Sequence, residues 1–293
     1  MKVITGIKKM QLWNKGVRKK GETIGFVPTM GYLHQGHLSL MRRAKKENDR
    51  LVVSIFVNPT QFGPGEDFKR YPRNFKRDQR LSRACGADVI FHPQAKKMYP
   101  PDFKTYVEVG KLGERLCGRS RPGHFRGVTT IVNKLFNIVQ PDTAYFGQKD
   151  AQQAIIISRM AQDLNLPLKI KVLPIVREKD GLAMSSRNTY LSADARKNAI
   201  ILYKSLQTAV GMIQSGYNSP REIIFKMREM INSKPGAKID YIKIVDARTL
   251  KEVKRLEGRL LIAVAVYFNK TRLIDNKVVQ SYKRKKNGLY RRR

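Results

Sequence analysis

Two histidines, His34 and His37, lie three residues apart in a segment that reads Pro-Thr-Met-Gly-Tyr-Leu-His-Gln-Gly-His. If a helix begins near Leu33, both imidazoles project from one face of its first turn. The free N–H groups and the positive dipole end of such a turn favour an anion, so the pair suits a phosphate. The alternatives are a capping histidine beside a surface histidine, or half of a zinc site. Zinc is disfavoured because the chain has four histidines and no His-Glu-x-x-His.

The residues around this turn predict the elements that position it. Ile24–Val27 is a short apolar run and predicts a buried strand, which Pro28 should end because proline has no N–H for a sheet ladder. After Gly36 the apolar spacing becomes that of a helix. The positions expected to face the core are Leu38, Leu40, Met41 and Ala44. Neither Gly-x-Gly-x-x-Gly nor Gly-Lys-Ser/Thr occurs at this turn, which disfavours a dinucleotide fingerprint and a P-loop.

Strands and helices then alternate with short turns as far as residue 176. The further predicted strands are Leu51–Val57, Asp88–Phe91, Thr143–Phe146 and Ile170–Val176, with helices over 8–20, up to Cys85, over Val128–Val139 and after Asp150. This alternation predicts an α/β fold with a doubly wound, Rossmann-like parallel sheet. Polar residues follow several strands, at the edge where a substrate crevice is expected. Residues 93–126 are irregular, which is typical of a functional loop or lid.

The regular alternation of predicted strands and helices ends at Val176. At 293 residues the chain is long for one compact domain. A polar hinge is followed by predicted helices over 192–215 and 220–232, and by predicted strands Ile239–Val245 and Leu260–Phe268. We therefore expect three parts: a Rossmann-like catalytic domain over 1–176, a smaller α+β lid domain over 177–280, and a disordered basic tail over 281–293.

The charge of the chain is extreme, with 59 Lys and Arg against 23 Asp and Glu and a formal net charge of +36. Nucleic acid is the obvious partner for such a charge. The cations, however, are spread along the whole chain, and only Lys283–Arg293 concentrates them, with seven. Nucleic-acid binding is therefore not expected as the function. The positive field should still attract anionic substrates in a salt-dependent way.

The cysteines and the apolar runs of the sequence indicate in which cellular compartment the protein is expected. Cys85 and Cys117 form no CxxC pair and no disulfide framework, which fits a reduced setting. No apolar run approaches the roughly 20 residues that span a bilayer, and the N-terminus does not have the pattern of a signal peptide. We expect a cytoplasmic protein with no membrane partner.

Together, the polar residues of the predicted loops favour one kind of chemistry. They are His34, His37, Gln61, Lys149, Asp150, Gln153 and the run Ser185-Ser186-Arg187. No nucleophile is paired with a base, and no carboxylates are clustered as in a glycosidase. Cations, hydroxyls and imidazoles can bind the oxygens of a polyphosphate, and side-chain amides could bind a small polar acid. This set suits adenylate formation, in which catalysis is mostly positioning and charge neutralisation.

Six runs of sequence carry a resemblance to a known family over roughly residues 3–280. They are Pro28–His37, Val53–Phe62, Arg121–Gly127, Phe146–Asp150, Asp180–Asn188 and Leu273–Asn276. In these runs the chain resembles the pantoate–β-alanine ligase (pantothenate synthetase) family, which belongs to the His-x-Gly-His nucleotidyltransferases. The resemblance implies ATP-driven formation of pantoyl adenylate, then attack by β-alanine to give pantothenate and AMP. It also implies Mg²⁺ on the phosphates and a homodimer.

The resemblance also implies roles for individual residues. His37 takes the acid/base role, which we interpret as donation to phosphate oxygens, with His34 and Lys149 as further catalytic residues. The ATP-binding residues are Met30, Gly31, Tyr32, Leu33, His34, Gln35, Gly36, His37, Gly147, Gln148, Lys149, Asp150, Val176, Met184, Ser185, Ser186 and Arg187. Gln61 and Gln153 bind pantoate, Gln61 also binds β-alanine, and Tyr71 and Arg121 lie in matching segments. No Mg²⁺ ligand is assigned, because the acidic residues after Tyr71 reduce to Asp78.

The chain departs from the family pattern at two positions in these runs. Gln148 stands where many members have Glu, which removes a negative charge beside Lys149. Thr60 replaces a common Met, a change in the wall of the site that we expect to be tolerated.

Other interpretations of these residues stay open at this point. Gln61 and Gln153 could cap backbone amides, Lys149 could be a solvated residue at a helix start, and Ser185 could be an ordinary N-cap. A related enzyme, such as a phosphopantetheine or nicotinamide-nucleotide adenylyltransferase, is generally shorter and lacks the Gln61 loop and the second domain. A tRNA-binding protein is the other alternative, although no anticodon-binding module or cluster of stacking aromatics is visible.

Overall fold

The structure is a computed structural model, and it describes residues 1–281. The chain divides into two compact units. The first contains Met1–Glu114 and Arg121–Val176, and the second contains Arg115–Ser120 and the chain from Arg177 onward. The predicted basic tail, 281–293, lies outside the described residues except for Ser281, which ends the last strand.

The first unit is built on a parallel sheet with flanking helices. Its strands are β1 (Lys2–Ile4), β2 (Ile24–Thr29), β3 (Arg50–Ile55), β4 (Val89–Phe91), β5 (Thr143–Gly147) and β6 (Lys169–Leu173). Their order is β1-β4-β3-β2-β5-β6, and each neighbouring pair is parallel. The helices of eight or more residues are α1 (Ile7–Arg18), α2 (Gln35–Glu47), α3 (Phe75–Ala84), α7 (His124–Val139) and α8 (Ala151–Asp163). The predicted doubly wound parallel sheet is confirmed.

Helix α2 packs the predicted face against this sheet. Its buried residues are Leu38, Leu40, Met41 and Ala44, as the spacing predicts. They share a core cluster with Val27, Leu51 and Val53 of the two central strands. Strand β3 is buried over all but its first residue, because helices cover both faces of a parallel sheet. This core holds the turn between β2 and α2 in place.

Several predicted boundaries were wrong, for reasons that lie in tertiary pairing. Strand β2 runs through Pro28 to Thr29, because its ladder with β5 stops at Phe26 and the missing N–H of proline interrupts no bond there. Strand β6 ends at Leu173, so Val176 lies beyond it. Strand β1 was missed because its three residues form a strand only by pairing with β4.

The irregular region 93–126 contains three four-residue helices instead of one long loop. They are α4 (Ala95–Met98), α5 (Gly110–Gly113) and α6 (Cys117–Ser120). Segments this short carry no periodicity that sequence alone could reveal. Helix α7 begins at His124, four residues before the predicted start at Val128.

The second unit has helices and an antiparallel sheet with their own core. The helices are α9 (Ala193–Ala199), α10 (Ile201–Gln214) and α11 (Pro220–Asn232), and the strands are β7 (Ala237–Asp246), β8 (Gly258–Phe268) and β9 (Thr271–Ser281), in the order β7-β8-β9. Arg177 at the start of this unit pairs with the buried carboxylate of Asp275 at 2.6 and 2.9 Å. The predicted α+β character is confirmed, with β9 as an additional strand. In residues 1–281 no helix is both long and apolar enough to cross a membrane.

Candidate active site

The turn between β2 and α2 is held by one buried carboxylate. Asp78, on α3, accepts the backbone N–H of Tyr32 at 2.7 Å and that of Leu33 at 2.8 Å, one with each oxygen. Gly31 and Tyr32 both have positive φ, +86° and +50°, so this backbone bends sharply. Burial raises the pKa of Asp78, while its two N–H donors act in the opposite direction. The sequence alone shows Asp78 only as an isolated acidic residue after Tyr71 and gives no sign of these two contacts.

The two predicted histidines cap the helix with one ring nitrogen each. His34 is the N-cap of α2, and its Nδ1 accepts the N–H of Gly36 at 3.2 Å. The Nδ1 of His37 accepts the N–H of His34 at 3.3 Å. An imidazole nitrogen that accepts carries no proton, so each neutral ring carries its proton on Nε2. The predicted capping alternative is therefore confirmed for His34, and it leaves Nε2–H of both rings as donors.

Both imidazoles are held neutral. Burial and the nearby cation of Lys149 lower the pKa of His34 to about 4. Burial, His34 and Lys149 lower the pKa of His37 well below its ordinary value. The two ring centroids lie 4.1 Å apart, close enough for a charge on His34 to oppose protonation of His37 and lower its pKa.

Lys149 brings a positive charge to these rings. It lies in the 3₁₀ turn Gln148–Asp150, which leads directly from β5 into α8. Its ammonium is 3.6 Å from the carboxylate of Asp150, and its side chain is 18% exposed against 49% for Asp150. A partly buried cation beside two neutral donors creates a site that favours an anion.

Gln61 lies beside the same turn, on the 3₁₀ turn Pro59–Gln61 that follows β3. Its Nε2 donates to the thioether of Met30 at 3.1 Å, and its Oε1 accepts from Nδ2 of Asn58 at 3.1 Å. The same Nδ2 donates to the carbonyl of Gly127 at 3.1 Å. A Cβ at Gly127 would lie 2.2 Å from the carbonyl oxygen of Thr60, so α7 and this turn meet backbone to backbone.

Arg121 grips the Gln61 turn. Its guanidinium makes a two-pronged pair with Glu66 at 2.7 and 2.6 Å, and it also donates to the backbone carbonyl of Gln61 at 3.3 Å. His124 contacts the same carbonyl through Nδ1 at 2.7 Å, and its Nε2 lies 3.0 Å from Arg121. Arg121 therefore connects Glu66 to the backbone of the turn that carries Gln61. The sequence alone did not indicate that Glu66 and His124 contact this arginine and this turn.

Three other predicted residues occupy defined places in the first unit. Tyr71 is buried, with its ring 6.0 Å from that of Phe62. Gln153 lies in the first turn of α8, four residues after Lys149. Val176 follows β6 as the last residue of the first unit.

The predicted segment Met184–Arg187 belongs to the second unit. Ser185 is the N-cap of the 3₁₀ turn Ser186–Tyr190, and its hydroxyl accepts the N–H of Arg187 at 3.3 Å. Asn188 anchors the turn by donating to Glu178 at 3.0 Å and to the carbonyl of Ala183 at 3.1 Å. Ser185 therefore does cap a backbone N–H, as the alternative interpretation held.

The acidic residues near the turn between β2 and α2 determine whether protein side chains alone could bind a metal ion there. In residues 1–281 no group of three or more His, Cys, Asp or Glu side chains is placed to bind a metal ion. Both oxygens of Asp78 already accept N–H groups, which leaves Asp150 as a partly exposed carboxylate beside Lys149. Mg²⁺ commonly takes one or two carboxylates and completes its shell with phosphates and water. These residues fit a magnesium ion that is held mainly by a triphosphate.

Known proteins of one family match nearly the whole chain. The sequence model of the Pantoate-beta-alanine ligase family matches residues 2–278. The chain is 54% identical to the pantothenate synthetase of Thermotoga petrophila over 279 residues, which is 95% of this chain and 100% of that protein. It is 56% identical to the pantothenate synthetase of Heliobacterium modesticaldum over 280 residues, which is 96% of this chain and 100% of that protein.

Solved structures of the same kind share the fold. The pantothenate synthetase of Thermus thermophilus matches with a TM-score of 0.89 and 43% identity, over 94% of this chain and 99% of that one. The pantoate-beta-alanine ligase of Francisella tularensis, solved with beta-gamma ATP and beta-alanine, matches with a TM-score of 0.79 and 36% identity, over 95% of this chain and 97% of that one.

Proposed function

Since this chain belongs to the pantoate-beta-alanine ligase family, we infer that it is an ATP-dependent ligase that joins pantoate to β-alanine. The reaction passes through a pantoyl adenylate and releases pyrophosphate and AMP. Family membership confirms the resemblance that the six sequence runs carry. The inference that the substrates are pantoate and β-alanine rests on family membership. The chemistry of the site residues alone would suit several kinds of nucleotidyltransferase.

The observation that supports the ATP site is the pair of neutral imidazoles on the turn before α2. Nε2–H of His34 and Nε2–H of His37 are donors for phosphate oxygens, and the N-terminus of α2 adds the positive end of its dipole. Lys149 supplies a full positive charge beside them. Transfer of the adenylyl group moves negative charge onto the leaving pyrophosphate, and fixed donors stabilise that charge. In this proposal His37 acts as a hydrogen-bond donor, because its lowered pKa leaves it neutral.

Gln61 and Gln153 are proposed to hold pantoate beside the α-phosphate. The contact between Gln61 and Met30 supports this, because it joins the proposed pantoate residue to the first residue of the proposed ATP run. A carboxylate is ionised at neutral pH, so its attack on phosphorus needs no general base. Positioning of the two reactants then accounts for much of the acceleration. The amine of β-alanine attacks the acyl carbon in the second step, with Gln61 proposed to contact it.

Mg²⁺ is proposed to enter with ATP. Its ligands would be phosphate oxygens and water, with Asp150 as the available carboxylate near Lys149. When bound, the ion neutralises part of the charge on the triphosphate. The ATP contacts of Val176, Met184, Ser185, Ser186 and Arg187 rest on the resemblance and stay a prediction.

A homodimer and a cytoplasmic location are also proposed, both from the resemblance. Light scattering of the purified protein at micromolar concentration should give about twice the chain mass of 33.7 kDa. A measured mass equal to that of one chain would contradict the proposed dimer but would not bear on the proposed reaction.

Release of pyrophosphate, measured with and without pantoate, tests the function. Pantoate should be required for pyrophosphate release, and β-alanine should then be required for rapid formation of AMP. Release that depends instead on a phosphopantetheine or a nicotinamide mononucleotide would contradict the proposed ligase.

Replacing one cation tests the proposed ATP site. Lys149→Gln should reduce kcat/KM for ATP by about 10- to 100-fold, the effect of losing a charge-assisted hydrogen bond. The matched control is Lys169→Gln, because Lys169 is exposed on β6. Equal activity of the two variants would contradict the role of Lys149.

A further inference from the structure

A chain of hydrogen bonds connects Tyr99 to Gln61 through Asn58. The hydroxyl of Tyr99 donates to Oδ1 of Asn58 at 2.8 Å, and Nδ2 of Asn58 donates to Oε1 of Gln61 at 3.1 Å. Asn58 is 1% exposed and Gln61 is 9% exposed, so neither amide can exchange these partners freely for water. The hydroxyl of Thr60 reaches the same Oδ1 at 3.0 Å.

The direction of this chain is fixed at two points by atoms that only accept. Asn58 must turn its NH₂ group toward the carbonyl of Gly127, which has no proton to give. The same NH₂ group then meets Gln61, so Gln61 turns its oxygen toward Asn58. On the other side of the Gln61 side chain lies the thioether of Met30, which can accept a hydrogen bond but cannot donate one. Gln61 must therefore turn its NH₂ group toward Met30. Both constraints give the same orientation of the Gln61 amide.

The hydroxyl of Tyr99 completes this arrangement at its far end. Oδ1 of Asn58 is a buried acceptor with two hydroxyl donors, Tyr99 and Thr60, whose oxygens lie 3.1 Å from each other, and Tyr99 makes the shorter of the two bonds to it. Loss of the Tyr99 hydroxyl would remove one of these two hydrogen bonds and leave Thr60 as the remaining donor. Burial raises the pKa of Tyr99 to about 12, so its hydroxyl keeps its proton at neutral pH. The ring of Tyr99 is itself held in a cluster with Phe56 and Phe103, at centroid distances of 6.5 and 5.1 Å.

We propose that Tyr99 is a positioning residue for the pantoate site, which acts through Asn58 to hold the Gln61 amide with its oxygen toward Asn58, so that the second N–H of its NH₂ group, beside the one that donates to Met30, is left to donate to the substrate. Gln61 then recognises an oxygen that accepts a hydrogen bond, such as a carboxylate or hydroxyl oxygen of pantoate. This inference rests on the proposed function, in which Gln61 binds pantoate. It adds a specificity determinant that is separated from the substrate by two residues, Asn58 and Gln61.

The test compares two tyrosines of one ring cluster. Tyr99→Phe removes the hydroxyl and keeps the ring. Tyr106→Phe is the matched control, because Tyr106 is 48% exposed and its ring also contacts Phe103, at 5.5 Å. We expect Tyr99→Phe to raise KM for pantoate by about fivefold to tenfold, the effect of about one hydrogen bond, and to leave KM for ATP unchanged. Tyr106→Phe should leave both constants unchanged.

A second comparison asks whether Tyr99 acts through Asn58. In an Asn58→Ala background the change Tyr99→Phe should have no further effect on KM for pantoate, because the connection to Gln61 is already cut. Independent effects of the two changes would overturn the inference. If Tyr99→Phe fails to fold, Thr60→Val removes the other hydroxyl donor to Asn58 and should raise KM for pantoate by about twofold to threefold.

The outcomes separate this inference from the function on which it rests. A wild-type protein that forms no AMP from pantoate overturns the proposed function. An active wild type in which Tyr99→Phe matches Tyr106→Phe, or raises KM for ATP as much as KM for pantoate, overturns the positioning role of Tyr99 alone. A selective rise in KM for pantoate that disappears with Asn58→Ala supports it.

Discussion

Gly127 is the point where α7 touches the turn that carries Gln61, and replacing it by alanine tests this contact. A Cβ there would lie 2.2 Å from the carbonyl oxygen of Thr60, 2.5 Å from its carbonyl carbon and 2.7 Å from the backbone nitrogen of Gln61. Contacts below about 3 Å cannot persist between such atoms, and all three belong to backbone. The helix and the turn must therefore separate by about 1 Å.

The expected cost follows from this separation. Overpacking of this kind destabilises a protein by about 1–3 kcal/mol, and the better helix propensity of alanine offsets about 1 kcal/mol of it. The hydrogen bond from Asn58 to the carbonyl of Gly127, now 3.1 Å, would stretch beyond bonding distance. Since a 1 Å displacement can reduce catalysis about 100-fold, we expect kcat/KM for pantoate to fall by about that factor.

The assay needs a glycine-to-alanine control in another helix of the same unit. A Cβ at Gly16 in α1 would have no atom within 4 Å, so Gly16→Ala should stabilise the protein by up to about 1 kcal/mol and keep wild-type kinetics. Thermal unfolding and steady-state kinetics with pantoate varied are measured for both variants. A Gly127→Ala protein with the unfolding temperature and pantoate KM of the wild type would refute the backbone contact.

Two further predictions concern the turn before α2. Asp78→Asn turns an NH₂ group toward one of two backbone N–H groups, so KM for ATP should rise at least about tenfold. An unchanged KM for ATP would contradict the role of Asp78 in holding this turn. In NMR spectra of the free protein, the ring protons of His34 should not titrate between pH 8 and 5.5, because its pKa is lowered to about 4. The unfolded chain binds this proton near pH 6.5, so the free energy of unfolding should fall as pH falls from about 6.5 toward 4. An anionic ATP analogue should raise the pKa of His34, and a midpoint near 6.5 in the free protein would contradict the buried, neutral ring.

Local patterns in the sequence were sufficient for the central elements of the fold. The helical spacing of Leu38, Leu40, Met41 and Ala44 gave the buried face of α2, and the apolar run after Arg50 gave β3. These signals work because burial against a sheet imposes a period on the chain. Strand β1 has no such signal, since Lys2 and Val3 are exposed and only pairing with β4 defines them.

The positions of single chemical groups depended on contacts between distant residues. The sequence predicted His34 and His37 as donors to a phosphate, but the ring nitrogen that carries each proton follows from the capping bonds. Asp78 lies 45 residues from Leu33 in sequence, and Tyr99 lies 41 residues from Asn58. No local pattern connects such pairs, so the Asp78 contact with the turn before α2 and the connection from Tyr99 to Gln61 could be found only in the folded chain.

Transfer of heavy oxygen tests the central claim most directly. Pantoate labelled with ¹⁸O in its carboxylate is incubated with the protein, ATP, Mg²⁺ and β-alanine, and the AMP is analysed by mass spectrometry. Attack of the carboxylate on the α-phosphorus, followed by cleavage of the acyl carbon–oxygen bond, leaves one carboxylate oxygen on phosphorus. We predict one ¹⁸O in each AMP formed, and AMP without the label would contradict a pantoyl-adenylate intermediate.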